Sequence, residues 1–297
     1  MIKKVWLSVG ILTCCLLIGG LLYDLNDNNL KKDIGSFNAV ANDKIDDTEN
    51  IQKAIDSLNG KEGEIVFPKG IYLINAGNSI KLKNNVTLSF EKGTVFKALP
   101  NELAAYEIFE IHDVKNVKLL GSFRIIGDRK EHQGDTGEWG FGISIRGSEN
   151  IYIENSIIED CWGDGIYIGA SPNKNFNKNI VLKRPVLKSN RRQGISIISA
   201  IDLKIINPVI TDTNGKAPES GIDLEPNNSA ERLENIQILN PETENNKGYG
   251  ILIYLKYLKN SEHPVSILID DDKKVYDEIR IVKPAEVKGD IKIVKVY

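Results

Sequence analysis

From residue 142 onward, short runs of alternating apolar and polar residues recur, each opened by a glycine–apolar step. Gly142-Ile143, Gly165-Ile166, Gly194-Ile195, Gly221-Ile222 and Gly250-Ile251 stand 23 to 29 residues apart. They lead the runs Ile143-Ser144-Ile145, Ile166-Tyr167-Ile168, Ile195-Ser196-Ile197, Ile222-Asp223-Leu224 and Ile251-Leu252-Ile253. Two further apolar columns keep step. One passes through Ile151, Ile180, Leu203 and Ile236, the other through Ile157, Val186 and Val209. Alternation with period two marks half-buried strands, and a repeat of this length marks stacked units that cannot bury their apolar faces alone. Three short strands per period, with no helical pattern between them, predict an all-β fold: a right-handed, single-stranded parallel β-helix. A leucine-rich repeat would need its Leu-x-x-Leu-x-Leu frame and a propeller four strands in a longer repeat; neither pattern is present.

Ahead of the repeat the period changes. Ile51, Ala54, Ile55 and Leu58 fall at i, i+3, i+4 and i+7, with Asp47 or Thr48 as N-cap, Glu49 in the first turn and Gly60 as a stop. This predicts a short helix capping the open first coil. Glu64-Ile65-Val66-Phe67 and Gly70-Ile71-Tyr72-Leu73-Ile74 then read as strand, turn, strand.

At the other extreme, Met1-Ile2-Lys3-Lys4 precedes nineteen uncharged residues, Val5 to Tyr23. That run is long enough to span a hydrocarbon core and longer than a usual signal-peptide core. The predicted organisation is therefore a cytoplasmic basic end over 1–4, a transmembrane anchor or signal segment over 5–23, a polar linker over 24–35 and the β-helix over 36–297. An uncleaved anchor, a cleaved signal and a lipoprotein modified at Cys14 or Cys15 all place the β-helix outside the cytoplasm, with the membrane as a partner of the N-terminal helix.

Composition narrows the function. A formal net charge of −3 and a pI near 5.8 leave no electrostatic footprint for nucleic acid. Three histidines, and Cys161 as the one cysteine beyond the N-terminal run, give neither a zinc spacing nor a disulfide framework. No cofactor is expected; carboxylate-held Ca²⁺ is the one metal the composition leaves open. Nothing in the pattern calls for a second copy, so a monomer is expected.

The segment Phe37-Asn38-Ala39 through Asp46-Asp47-Thr48, Ile51-Gln52 and Ala54-Ile55, followed by Val66-Phe67-Pro68-Lys69-Gly70-Ile71-Tyr72, resembles the opening of the pectate-lyase-like superfamily. That superfamily holds polygalacturonase-type hydrolases, rhamnogalacturonases, pectate lyases, epimerases and phage tailspikes. The resemblance runs from about Phe37 to beyond Gly250. It departs at Asn38, Ala41 and Asn42, where glycine, glycine and aspartate are usual, and the polygalacturonase signatures N-T-D, G-D-D, G-H-G and R-I-K are absent. The resemblance implies the fold and a polysaccharide partner; it does not fix the reaction.

Register then places candidate chemistry. If the isoleucines opening each run point inward, Ser144, Tyr167, Ser196, Asp223 and Leu252 point outward, and Arg146, Gly169, Ile198, Glu225 and Tyr254 form the next outward column. Asp164, Gln193 and Arg192 lie just before these strands. Asp164, Asp223 and Glu225 are the candidate catalytic carboxylates, since like charges at short range separate their pKa values into an acid and a base. Arg146, Arg192, Gln193, Tyr167 and Trp139 are candidate substrate contacts. His132, in the polar loop Gly127–Glu138, is a further one if that loop folds over the same face. Glycoside hydrolysis is the leading expectation. A uronate lyase or epimerase, with arginine neutralising the sugar carboxylate and Tyr167 or His132 moving a proton, is the enzymatic alternative, and a non-catalytic glycan-binding solenoid the other.

Overall fold

The computed structural model of the protein describes residues 30–271 and 274–295. Strands dominate it, and the strands that stack from coil to coil pair in parallel. The Gly–Ile runs stack in one column: Ile166 lies opposite Ile143 and Ile195, and Ile222 opposite Ile195 and Ile251. The second column pairs Ile180 with Ile151 and Leu203, and Leu203 with Ile236. The third pairs Val186 with Ile157 and Val209. Each coil contributes one strand to each column, which is the parallel β-helix read from the period. The isoleucines at 143, 166, 195, 222 and 251 are all 0% exposed; the interior is a column of aliphatic side chains stacked at the strand spacing of about 4.8 Å.

The corner before each run needs glycine for lack of space. A Cβ on Gly194 would lie 2.4 Å from both the Gly221 carbonyl oxygen and Ile210 Cγ2. The turn ahead of the second column is carried by asparagine or aspartate in the left-handed region, at Asn116, Asn150, Asn179, Asp202 and Asn235. Their side chains form a ladder: Asn150 Nδ2 donates to Asn116 Oδ1 at 3.0 Å, and Asn179 Nδ2 to Asn150 Oδ1 at 2.8 Å.

The capping helix spans Thr48–Asp56, with Ile51, Ala54 and Ile55 fully buried. Asp47 occupies the N-cap position but makes no capping bond. Its carboxylate instead accepts the Val40 and Leu73 amides, tying the entry segment to the first coil, and Asp46 takes the Thr48 amide at 2.9 Å. The boundary expected at residue 36 moves earlier, because the strand Leu30–Asp33 precedes it and Ile34 is fully buried. The expected transmembrane or signal-anchor helix is also corrected. No helix among the described residues is long and apolar enough to cross a membrane, and the 1–4 and 5–23 segments lie outside those residues.

Candidate functional site

The column that continues Ile143–Ile251 forms an eight-stranded parallel sheet from Ile80 to Val282. Its outer surface carries two clefts. The first, of about 350 Å³, is lined by Glu107, Trp139, Phe141, Arg146, Tyr167, Arg192 and Ile198, among others. The second, of about 640 Å³, is lined by Glu225, Tyr249, Leu252, Tyr254, Lys256 and Arg280, among others.

In the first cleft an aromatic and cationic wall is built by stacking. Phe141 and Tyr167 lie 4.8 Å apart and nearly parallel, and the Arg146 guanidinium sits 4.2 Å over the Tyr167 ring. Arg146 Nε also donates to Ser144 Oγ at 3.1 Å. Burial pushes the Tyr167 phenol up and Arg146 draws it back. Trp139 presents an exposed indole at the rim. Glu107, whose carboxyl is raised by burial and drawn back by Arg146, is the carboxylate of this cleft.

The outward column is itself covered, contrary to the solvent-facing surface expected. Ser144 and Ser196 are 0% exposed and Asp223 is 1% exposed, because longer neighbours fold across them. Asp164, also fully buried, receives Arg192 Nη1 at 3.3 and 3.2 Å on its two oxygens and Ser196 Oγ at 2.8 Å. Burial raises its pKa while Arg192 and Ser196 pull it back; the three contacts are those of an ionised carboxylate. Asp223 differs. Burial raises it well above the usual carboxylate range, and the neighbouring Glu225 carboxyl adds to that. Asp223 lies beside half-buried Glu225, which opens into the second cleft, and Arg192 draws its pKa part of the way back.

The structure thus gathers Arg146, Tyr167, Arg192 and Trp139 around the first cleft, and buries Asp164 and Asp223, with Asp164 held by Arg192. Two residues fall elsewhere. His132 is not on this face: its side chain is fully buried, with Nδ1 2.8 Å from Asp128 Oδ2 and the ring stacked 3.8 Å from Trp162. Asp128 also accepts the Tyr106 hydroxyl and Asn101 Nδ2, so the 127–138 loop is pinned rather than free to close. Gln193 is fully buried and has no surface to offer a substrate. Glu107 was missed because its strand, Ala105–His112, lacks the glycine step. Its register was nevertheless available, since Phe109 extends the column opposite Ile143. Among the described residues no cluster of three or more His, Cys, Asp or Glu side chains is arranged to hold a metal ion.

Comparisons with known proteins agree with this architecture. Residues 133–260 match the family model described as a right handed beta helix region, and residues 33–99 the one described as rhamnogalacturonase A/epimerase, pectate lyase-like. The protein is a right-handed parallel β-helix, and it belongs to the pectate-lyase-like superfamily. It is 31% identical over 255 residues to the uncharacterized protein YclG of Bacillus subtilis (strain 168), covering 73% of this chain and 44% of that protein. The chain spans less than half the length of the curated relatives it matches. Among solved structures it is similar to a 1,3-alpha-1,4-beta-D-galactose-4-sulfate-3,6-anhydro-D-galactose-2-sulfate 4 galactohydrolase, with TM-score 0.63, 18% identity, and 83% of this chain and 58% of that one covered. It is also similar to the tailspike protein of Acinetobacter baumannii bacteriophage Fri1, a capsular polysaccharide depolymerase, with TM-score 0.58, 14% identity, and 82% and 48% covered. At these identities the likeness is one of fold.

Proposed function

We propose that this protein is an extracytoplasmic, polysaccharide-active enzyme, and within that class a glycoside hydrolase acting on an anionic chain. The observation that carries the reading is Asp223: a buried carboxyl whose pKa is raised by burial and by its neighbour, paired with Glu225 at the edge of an open cleft. Such a pair supplies an acid and a base at one pH. The proton it holds passes to the glycosidic oxygen as the bond to the anomeric carbon breaks. Water then attacks that carbon and returns a proton to the pair. Arg192 stabilises the transient negative charge on Asp223. The two clefts flank this point along one sheet, with Arg146 and Arg192 in the first and Lys256 and Arg280 in the second. That arrangement suits a negatively charged polymer running across both. The fold shared with the galactohydrolase and the tailspike depolymerase supports the same class.

One observation favours a second reading. Arg146 over Tyr167 places a cation beside a phenol in the first cleft, the pairing a uronate lyase or epimerase would use to neutralise a sugar carboxylate and move the C5 proton. A screen of the purified protein against acidic and neutral polysaccharides separates the readings. New reducing ends without ultraviolet absorbance support hydrolysis, and unsaturated products support lyase chemistry. Retention of a polymer without turnover would leave glycan binding. Asp223→Asn should abolish the hydrolytic signal, and full retention of it would overturn the role given to Asp223.

A further inference from the structure

The side-chain amide of Gln193 is fixed at both ends. The Ser220 backbone N–H donates to its Oε1 at 2.8 Å, and its Nε2 donates to Asp223 Oδ2 at 2.7 Å. A backbone N–H only donates, so the amide oxygen has to face Ser220 and the orientation of the group is settled by chemistry. An amide NH₂ likewise only donates, so Oδ2 of Asp223 has to accept; the carbonyl oxygen of a carboxyl group is the better acceptor, and the bond therefore favours a proton on Oδ1. Gln193, Ser220 and Asp223 are each at most 1% exposed, which keeps solvent from competing for these bonds. Oδ1 of Asp223 is buried and meets no donor, the setting in which a bare carboxylate oxygen is costly and a protonated one is not, and Glu225 is the carboxyl neighbouring Asp223.

We infer that Gln193 is a positioning residue that holds the proton of Asp223 on Oδ1, the buried oxygen without a donor. The inference rests on the proton-sharing role proposed above for Asp223 and Glu225. It replaces the substrate contact expected of Gln193 and gives the buried amide a purpose. Were the amide absent, either oxygen of Asp223 could hold the proton, and its position would no longer be single. The chain Ser220 N–H, Gln193, Asp223, Glu225 runs across two neighbouring coils, since Ser196 lies opposite Asp223 in the stacked column. The proton's position is thereby set by the register of the β-helix.

The test is an infrared measurement on protein carrying ¹³C-labelled aspartate, taken as the difference between wild type and Asp223→Asn at neutral pH, together with turnover on whichever polysaccharide the screen identifies. Wild type should show a carboxylic-acid carbonyl band for Asp223 at the position of a carbonyl that accepts a hydrogen bond. In Gln193→Met the band should move to higher frequency, because the carbonyl oxygen has lost its donor. Turnover should fall by about tenfold or more with KM changed by less than about twofold. Gln193→Glu keeps an acceptor for the Ser220 amide, carries the comparison if the methionine variant fails to fold, and should displace the pH profile of the remaining activity. A purely structural role would lower stability while leaving band position and pH profile as they are, and that outcome overturns the inference, as does absence of the acid band in wild type. If the band moves as stated while Asp223→Asn keeps full turnover, the hydrolase reading fails and the proton placement stands.

Discussion

Arg192 meets Asp164 where water does not reach. Nη1 lies 3.2 and 3.3 Å from the two oxygens of a carboxylate that is 0% exposed, while the arginine keeps 18% of its side chain open to the first cleft. A salt bridge at such a boundary is asymmetric. The guanidinium can regain water if its partner is lost, whereas the carboxylate would be stranded.

Arg192→Ala should therefore destabilise the protein by about 3–5 kcal/mol, the cost of leaving a buried charge unpaired. Asp164→Asn in the same background should recover more than half of that loss. Urea unfolding of the two variants against wild type checks this, and a double variant no more stable than the single one would contradict the stranded-charge account.

The interior and the covered outer column make a second comparison. Ile195→Ala opens a cavity between stacked aliphatic side chains and should cost about 2–5 kcal/mol. Ser196, one residue on and pointing the other way, is fully buried and donates to Asp164 at 2.8 Å. Ser196→Ala should cost about 1–3 kcal/mol by removing a donor from a buried carboxylate. Unfolding midpoints reading near zero for Ser196→Ala would restore the picture of a solvated outer face.

That serine shows where the sequence stopped being legible. The period of the Gly–Ile steps gave the fold, the three columns and the register, because every coil has to repeat the same burial. It also pointed to one face for Asp164, Asp223, Arg192 and Tyr167. Depth was not legible, because whether an outward residue meets water depends on its neighbours' side chains rather than on the alternation. Arg146 and Arg192 reach back over Ser144 and Asp164, and the face became a buried polar layer. His132 failed for a related reason: a polar loop looks mobile until its contacts are known. The loop is held by Asp128, which draws on Asn101 and Tyr106 from the preceding coil as well as on His132 itself.

Binding across both clefts is separable from folding. Trp139 is 49% exposed and Tyr254 lines the second cleft, so neither holds the core together. Trp139→Ala and Tyr254→Ala should each weaken retention of an anionic polysaccharide about tenfold, roughly 1.4 kcal/mol, with unchanged melting temperature. Affinity electrophoresis through polysaccharide gels measures the retention. Loss at Trp139 alone would confine the polymer to the first cleft.

Two buried groups should give the stability opposite slopes with pH. His112, its Nε2 2.9 Å from Ser144 Oγ, is lowered to about 4 by burial first and the Arg146 charge second. Between about pH 4 and its unfolded value near 6.5 the unfolded chain binds a proton that the native one refuses, so this group makes stability rise with pH across that window. Asp223 works the other way. Its native pKa is raised, so above about pH 4 the unfolded chain releases a proton that the folded chain keeps, and stability falls as pH rises toward the native value. His112→Gln and Asp223→Asn each remove one titration. Urea midpoints taken from pH 4 to 7.5 should show, for wild type minus His112→Gln, a difference that grows with pH. For wild type minus Asp223→Asn the difference should shrink. Other titrating groups cancel in each subtraction, so the two signs are the measurement. Slopes of the same sign would mean that Asp223 is ionised in the native protein, and the acid of the candidate pair would then have to be sought at Glu107 or Glu225.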